Sequence, residues 1–217
     1  MSDQVRIVEV GPRDGLQNEK TPVSVAARIA FIEALVGAGL HTVEVGAFVS
    51  PKAIPQMVGS DQVLCGVNHR LDGEFHVLVP NEKGYEAARE AGARVIAVFA
   101  SASEGFSRAN INCSVAESIE RFKPVVVRAR ADGIKVRGYI SCVLGCPFDG
   151  EVKPQAVVDV AQVRIGFPCS ARYQPGNPHN SIVVSEEWSG LREGLPVLPS
   201  FDDPDPLDLS HLRPDGE

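Results

Sequence analysis

The sequence predicts an α/β fold with a parallel sheet, and three observations lead there. Short apolar segments recur at Val5–Val10, His41–Gly46, Phe75–Val79, Arg94–Phe99 and Lys135–Ser141, and apolar, β-branched runs of this length suit strands buried on both faces. Stretches with helical spacing separate them, giving successive βα units whose handedness rule implies parallel neighbours. Polar residues gather just past the ends of the apolar segments, where α/β folds place their chemistry. A chain of 217 residues is naturally one domain and long enough for a sizeable core.

The first segment, Val5 to Val10, runs into Gly11-Pro12 and a polar loop holding Arg13, Asp14, Gln17, Asn18, Glu19 and Lys20. Asp14 offers hard oxygen to a divalent cation, and Arg13 a fixed positive fork to an oxyanion. A plain surface ion pair between them is the competing reading. Thr21-Pro22 then reads as a helix start, Thr as cap and Pro in the first helical position. Val25, Ile29, Ile32 and Val36 give that helix a buried face, and Gly37 and Gly39 end it.

The second strand, His41–Gly46, contains Glu44. A carboxylate inside an apolar strand is costly unless paired or hydrogen-bonded. Arg13, at the neighbouring strand's end, is the expected partner. Two roles fit that pair: an ion pair that fixes the interior, or a carboxylate that orients Arg13.

Phe48–Met57 is a loop interrupted by Pro51 and Pro55, followed by a short helix near Ser60 to His69. The third strand, Phe75–Val79, leads into helix Glu82–Ala91, and the fourth, Arg94–Phe99, into a polar loop with Ser101, Ser103 and Glu104. Those serines serve a ligand or simply cap and shape the turn. Helix Ser114–Ala131 precedes the fifth strand, Lys135–Ser141, on which Tyr139 and Ser141 share a face. Lys153-Pro154 opens a further helix. That makes about five βα units, with no short internal repeat.

A formal net charge of −7 argues against nucleic acid or an anionic membrane as the main partner. Five cysteines without framework spacing suit a reduced, intracellular setting. Cys142 and Cys146 lack the further ligands of a zinc pattern, so packing is the expected role for both. No apolar run is long enough to cross a membrane. The first strand starts almost at Met1, leaving no room for a targeting peptide, and a cytoplasmic location is the expectation.

The segment GPRDGLQNEK (11–20) resembles the opening motif of the hydroxymethylglutaryl-CoA lyases, metal-dependent lyases built on a (β/α)8 TIM barrel. HTVEVGAFVSPKAIPQM (41–57), SASEGFSRANINCS (101–114) and GYISCVLGCPFDGEV (138–152) match in the same order, so the likeness covers residues 5–162. The resemblance implies retro-Claisen cleavage of 3-hydroxy-3-methylglutaryl-CoA to acetyl-CoA and acetoacetate. It implies Arg13 and Glu44 as catalytic residues, Gln17, Ser103, Tyr139 and Ser141 against the acyl-CoA substrate, and Asp14 as ligand to Mg or Mn. Acyl-CoA condensing enzymes of the isopropylmalate synthase type are similar too, but Gln17 and Asn18 favour the lyase. A non-catalytic fragment is the alternative from another class.

After Gln162 the pattern stops. Residues 163–217 hold half of the sixteen prolines and no lysine. Only Ser181–Ser185 looks strand-like, and 197–217 reads as disordered. The expected division is a partial barrel over 1–162 and a non-matching tail over 163–217, consistent with a change of reading frame or a rearrangement near codon 162. A barrel of this type usually needs about 250 residues. The lyases' paired His-x-His metal ligands and catalytic cysteine have no counterpart in this sequence, so weak cation binding and no turnover are expected. An open sheet edge would favour self-association into a homo-oligomer.

Overall fold

A computed structural model describes residues 7–163 and two short strands, Cys169–Arg172 and Ile182–Ser185. Four strands form one parallel sheet in sequence order: β1 (Thr42–Ala47), β2 (Glu74–Leu78), β3 (Val95–Ser101) and β4 (Lys135–Ser141). The connecting helices are α1 (Val25–Gly37), α2 (Ser60–Asn68), α3 (Glu82–Glu90), α4 (Glu104–Ile111), α5 (Val115–Ala131) and α6 (Pro154–Val163). The α/β architecture and the run of βα units are therefore as the sequence predicts.

One face of the sheet packs on the helices. Val43, Val45, Phe75, Val77, Val79, Ile96 and Val98 join Ile32, Val63, Leu64, Tyr85, Phe122 and Val125 in one buried cluster. Each fully buried side chain of this size contributes roughly 1.5–3 kcal/mol. Ile32 is fully buried on α1, while Val25, Ile29 and Val36 pack against the same cluster with part of their surface exposed.

The register sets a second row. Glu44 lies beside His76, Leu78 beside Ala97, Ala97 beside Arg137, and Phe99 beside Tyr139. Polar and charged residues thus share one face, with an irregularity in β1 between Glu44 and Gly46.

Several local expectations change. The first strand is reduced, within the described residues, to a parallel bridge between Glu9 and Val43. Glu9 N–H donates to the Thr42 carbonyl at 2.9 Å, and Glu44 N–H to the Glu9 carbonyl at 2.8 Å. The first helix starts at Val25 because Ser24, not Thr21, caps it: the Ser24 hydroxyl accepts from Ala27 N–H at 3.2 Å. The expected polar loop after β3 is instead α4, capped by Ser103. Ser114 and Glu117 form a reciprocal capping box on α5, which continues through Pro124. Ile182–Ser185 is a strand, as its composition suggests, but it pairs antiparallel with Cys169–Arg172, which the sequence did not signal. The expectation of disorder over 197–217 falls outside the described residues.

Candidate active site

The Arg13–Asp14 segment is not an open loop. Gly11–Gly15 form a π-helical turn in which Arg13 and Asp14 N–H both reach the Val10 carbonyl, at 3.0 and 2.7 Å. Turns of this kind occur often at functional sites. It carries the chain sharply past the end of the first bridge and folds Arg13 inward, where it is 9% exposed.

There Arg13 Nε donates to Glu44 Oε1, and Nη1 donates to Asp14 Oδ1 at 2.6 Å. Glu44 is completely buried. Its second oxygen, Oε2, accepts from the Tyr139 hydroxyl at 2.7 Å. One carboxylate on β1 therefore joins the turn before α1 to β4, across residues far apart in sequence. Burial, then the charge of Glu44 and its hydrogen bond, pushes the Tyr139 phenol above its usual range. Tyr139 thus stays protonated and remains a donor at neutral pH. The Arg137 guanidinium lies over the Tyr139 ring, 5.2 Å from its centre, a cation–π distance.

Asp14 itself stands at the rim with its side chain 54% exposed. Gln17 Nε2 donates to Asp14 Oδ1 at 3.3 Å, and Asn18 Nδ2 to the Asp14 carbonyl at 2.8 Å. Arg13, Asp14, Gln17, Glu44 and Tyr139 thus form one connected group.

The two serines lie apart from that group's hydrogen bonds. Ser141 is half-buried at the end of β4, and its carbonyl accepts from Ala102 N–H at 3.0 Å. Ser103 is buried, and its hydroxyl is committed to Asp149 Oδ2 at 2.6 Å and Cys146 Sγ at 2.8 Å while accepting from Phe106 N–H at 3.1 Å. Asp149 also accepts from Gly105 N–H at 2.7 Å. The hydrogen bonds from Ser103 and Gly105 hold its carboxyl below the ordinary range.

Sequence reasoning missed this Ser103–Cys146–Asp149 group and expected Cys146 only to pack. Cys146 does pack, against Val152 and Val157, but it is hydrogen-bonded as well. The available signal was Asp149-Gly150, a turn pair that closes Cys146 onto Gly150 in an antiparallel bridge. Arg28 was missed as well. It is fully buried on α1 and donates to the Val58 carbonyl at 2.9 Å and to Ser60 Oγ at 3.1 Å.

Among the described residues no group of three or more His, Cys, Asp or Glu could hold an ion. Asp14 is the carboxylate at the rim, and one of its oxygens already faces Arg13. Hard cations want about six oxygens. The described residues do not by themselves fit a resident cation, and no step below passes through one.

A buried arginine–carboxylate–tyrosine chain on a parallel α/β sheet, with a polar rim past the strand ends, places a fixed cationic donor where α/β folds carry their chemistry. The chain belongs to the HMGL-like family, whose model matches residues 4–170. It is 57% identical over 159 residues to the 3-hydroxy-3-isohexenylglutaryl-CoA/hydroxy-methylglutaryl-CoA lyase of Pseudomonas aeruginosa, covering 73% of this chain and 53% of that protein. It is 50% identical over 166 residues to the mitochondrial hydroxymethylglutaryl-CoA lyase of Bos taurus, covering 76% of this chain and 51% of that protein. The crystal structure of the Pseudomonas aeruginosa hydroxymethylglutaryl-CoA lyase superimposes with a TM-score of 0.71 at 55% identity, over 75% of this chain and 54% of that one. A lyase from Acinetobacter baumannii, in complex with coenzyme A and 3-methylmalate, gives a TM-score of 0.70 at 33% identity over 75% of this chain and 54% of that one. The chain spans about half the length of the relatives it matches.

Proposed function

We propose that this chain carries the electrostatic half of a hydroxymethylglutaryl-CoA lyase-type site, and that alone it binds acyl-CoA without turning it over. The observation that carries the reading is the buried Arg13–Glu44–Tyr139 chain. In a retro-Claisen cleavage a base removes the tertiary hydroxyl proton, the adjacent carbon–carbon bond breaks, and negative charge collects on the thioester enolate oxygen before an acid protonates the enolate carbon. Charge developing at one atom is best met by a donor that is already fixed and partly dry. Arg13 meets that requirement: Glu44 and Asp14 engage two of its five N–H groups, leaving others to face an oxyanion. Arg13 is then the catalytic electrophile, Glu44 the group that orients it, and Tyr139 the donor that holds Glu44.

Gln17 and Ser141 stand at the rim as substrate contacts. Ser103 contributes chiefly through its backbone position, because its hydroxyl is engaged. Asp14 offers a single carboxylate to Mg or Mn, which supports binding no tighter than about millimolar. Steric fit for coenzyme A draws support from the Acinetobacter baumannii lyase, which holds that molecule. A cytoplasmic location, and self-association through the open sheet edge, complete the reading.

The lack of turnover follows from chemistry rather than from length. Groups that act together in a site lose orders of magnitude when one is removed, and no described residue forms the proton-transfer pair this cleavage needs. The test uses the purified full chain with Mg or Mn, 3-hydroxy-3-methylglutaryl-CoA and a thiol reductant. Calorimetry should detect binding of the CoA ester that weakens about tenfold or more in Arg13→Gln, the loss of one charged hydrogen bond, with acetoacetate at background. Binding indifferent to Arg13→Gln overturns the assignment of Arg13. Steady acetoacetate release abolished by Arg13→Gln overturns the absence of turnover.

A further inference from the structure

We propose that Cys142 and Cys146 are a peroxide-sensitive dithiol that closes to an intrachain disulfide at the carboxyl end of β4, with Cys146 oxidised first. The inference does not depend on the lyase reading.

The geometry around Cys146 is that of a sulfur prepared to carry charge. Phe148 and Asp149 N–H groups both point at its Sγ, each at 3.3 Å. Ser103 lies 2.8 Å away and Asp149 Oδ2 lies 2.6 Å beyond the Ser103 hydroxyl. A hydroxyl has one hydrogen. With Asp149 ionised, that hydrogen goes to the carboxylate, and the Cys146 thiol donates to Ser103 Oγ. The result is a Cys–Ser–Asp chain of hydrogen bonds that fixes the sulfur beside an ionised carboxylate. When the thiol ionises, Ser103 can turn its hydrogen toward sulfur, and three donors then surround it. Burial is the largest single influence on Cys146 and opposes ionisation, but the hydrogen bonds around the sulfur, from Ser103 and from the Asp149 and Phe148 amides among them, together outweigh it, and the thiol sits below its ordinary range. Thiolates, not thiols, react with oxidants.

Cys142 supplies the second sulfur. It lies four residues before Cys146, and both pack in the same small cluster with Val152 and Val157. Cys142 holds φ of +61°, the left-handed region that a non-glycine residue occupies at a cost. Burial pushes the Cys142 thiol up, so the two sulfurs divide the work: Cys146 attacks the oxidant as thiolate, and Cys142 waits as thiol. Leu144 and Gly145, between them, are exposed and free to adjust.

The chemistry balances with a peroxide as oxidant. The Cys146 thiolate attacks one oxygen of hydrogen peroxide, the O–O bond breaks, and sulfenic acid and hydroxide form. Cys142 then attacks the sulfenic sulfur, the S–O bond breaks, and water leaves with the Cys142 proton. In sum two thiols and one peroxide give one disulfide and two waters. Because Cys146 leaves its Ser103 hydrogen bond as the disulfide closes, the end of β4, where Tyr139 and Ser141 sit, is re-anchored.

The test is peptide mapping of the full chain after brief hydrogen peroxide treatment, denaturing alkylation and trypsin. Cys142 and Cys146 fall in one tryptic peptide, from Gly138 to Arg164, because Lys153 precedes proline. That peptide should appear two hydrogens lighter and unalkylated, at a rate about tenfold above loss of the buried Cys113. Cys142→Ser should leave Cys146 as a sulfenic acid that dimedone captures, and Cys146→Ser should leave Cys142 fully alkylated. Oxidation confined to the exposed Cys65, or both thiols in the Gly138–Arg164 peptide still alkylated, overturns the proposal. So does Cys146 advancing to sulfinic acid in the parent chain with Cys142 free.

Discussion

Replacing Glu44 by glutamine is the sharpest perturbation available. The substitution keeps the shape of the side chain and lets its amide oxygen accept from Tyr139, so it isolates the charge. Glu44 is fully buried and faces Arg13, which is 9% exposed. Removing one partner of a buried ion pair costs about 3–5 kcal/mol, because the remaining charge is stranded in a poor solvent. Arg13 keeps Asp14 at 2.6 Å, which places the expectation at the low end, about 3 kcal/mol. Tyr139→Phe removes one hydrogen bond to a charged group and should cost roughly 1.5–3 kcal/mol. In the Glu44→Gln background that hydrogen bond is neutral, so the Tyr139→Phe cost should fall by about 1 kcal/mol, a coupling typical of groups in one network. Urea unfolding of the full chain, followed by far-ultraviolet circular dichroism for the parent, both single variants and the double variant, measures all four corners. The pair is shielded from solvent ions, so the cost should persist when salt is raised to 1 M. A Glu44→Gln cost within about 0.5 kcal/mol of zero, the usual range of surface substitutions, would refute the reasoning. Strict additivity of the two changes would refute the shared network.

Arg28→Ala should destabilise by about 2–4 kcal/mol, because it removes the donor to the Val58 carbonyl and empties a fully buried volume. Arg28→Lys should recover less than half, since one ammonium cannot replace the planar fork, and a urea midpoint equal to the parent would refute this. Asp149 has a depressed folded-state carboxyl, so its contribution is present above the unfolded value near 4 and is lost as pH falls through the lower folded value. Asp149→Asn should therefore lower the urea midpoint at pH 6, with the difference shrinking below pH 4, and a difference that is constant with pH would count against the Ser103–Asp149 bond. Manganese titrated calorimetrically into the full chain should show no saturable binding tighter than about millimolar. Micromolar affinity that vanishes in Asp14→Asn would mean that other residues complete the ligand set.

Much of this was legible in the chain itself. Strand and helix periods are local properties, so four of the five expected strands, and the helices other than α4, lie where apolar spacing puts them. Glu44 was conspicuous because a carboxylate in an apolar strand demands a partner, and Arg13 is that partner. Local chemistry also misled where two local solutions competed. Thr21-Pro22 and Ser24 are both good helix starts, and Ser24 won because its hydroxyl reaches the Ala27 amide. What only the tertiary structure decided are contacts between distant segments. The Tyr139–Glu44 bond spans 95 positions, and the Ser103–Asp149 bond spans 46. No period or motif encodes such separations, because they depend on how parallel crossovers align strand ends in space. The same reason hid the fate of Arg28, a charge on a helix that looks solvent-facing until the Val58–Ser60 segment folds over it. Sequence determined which residues could do chemistry here, and the packing of β1 against the turn before α1 and against β4 decided which of them meet.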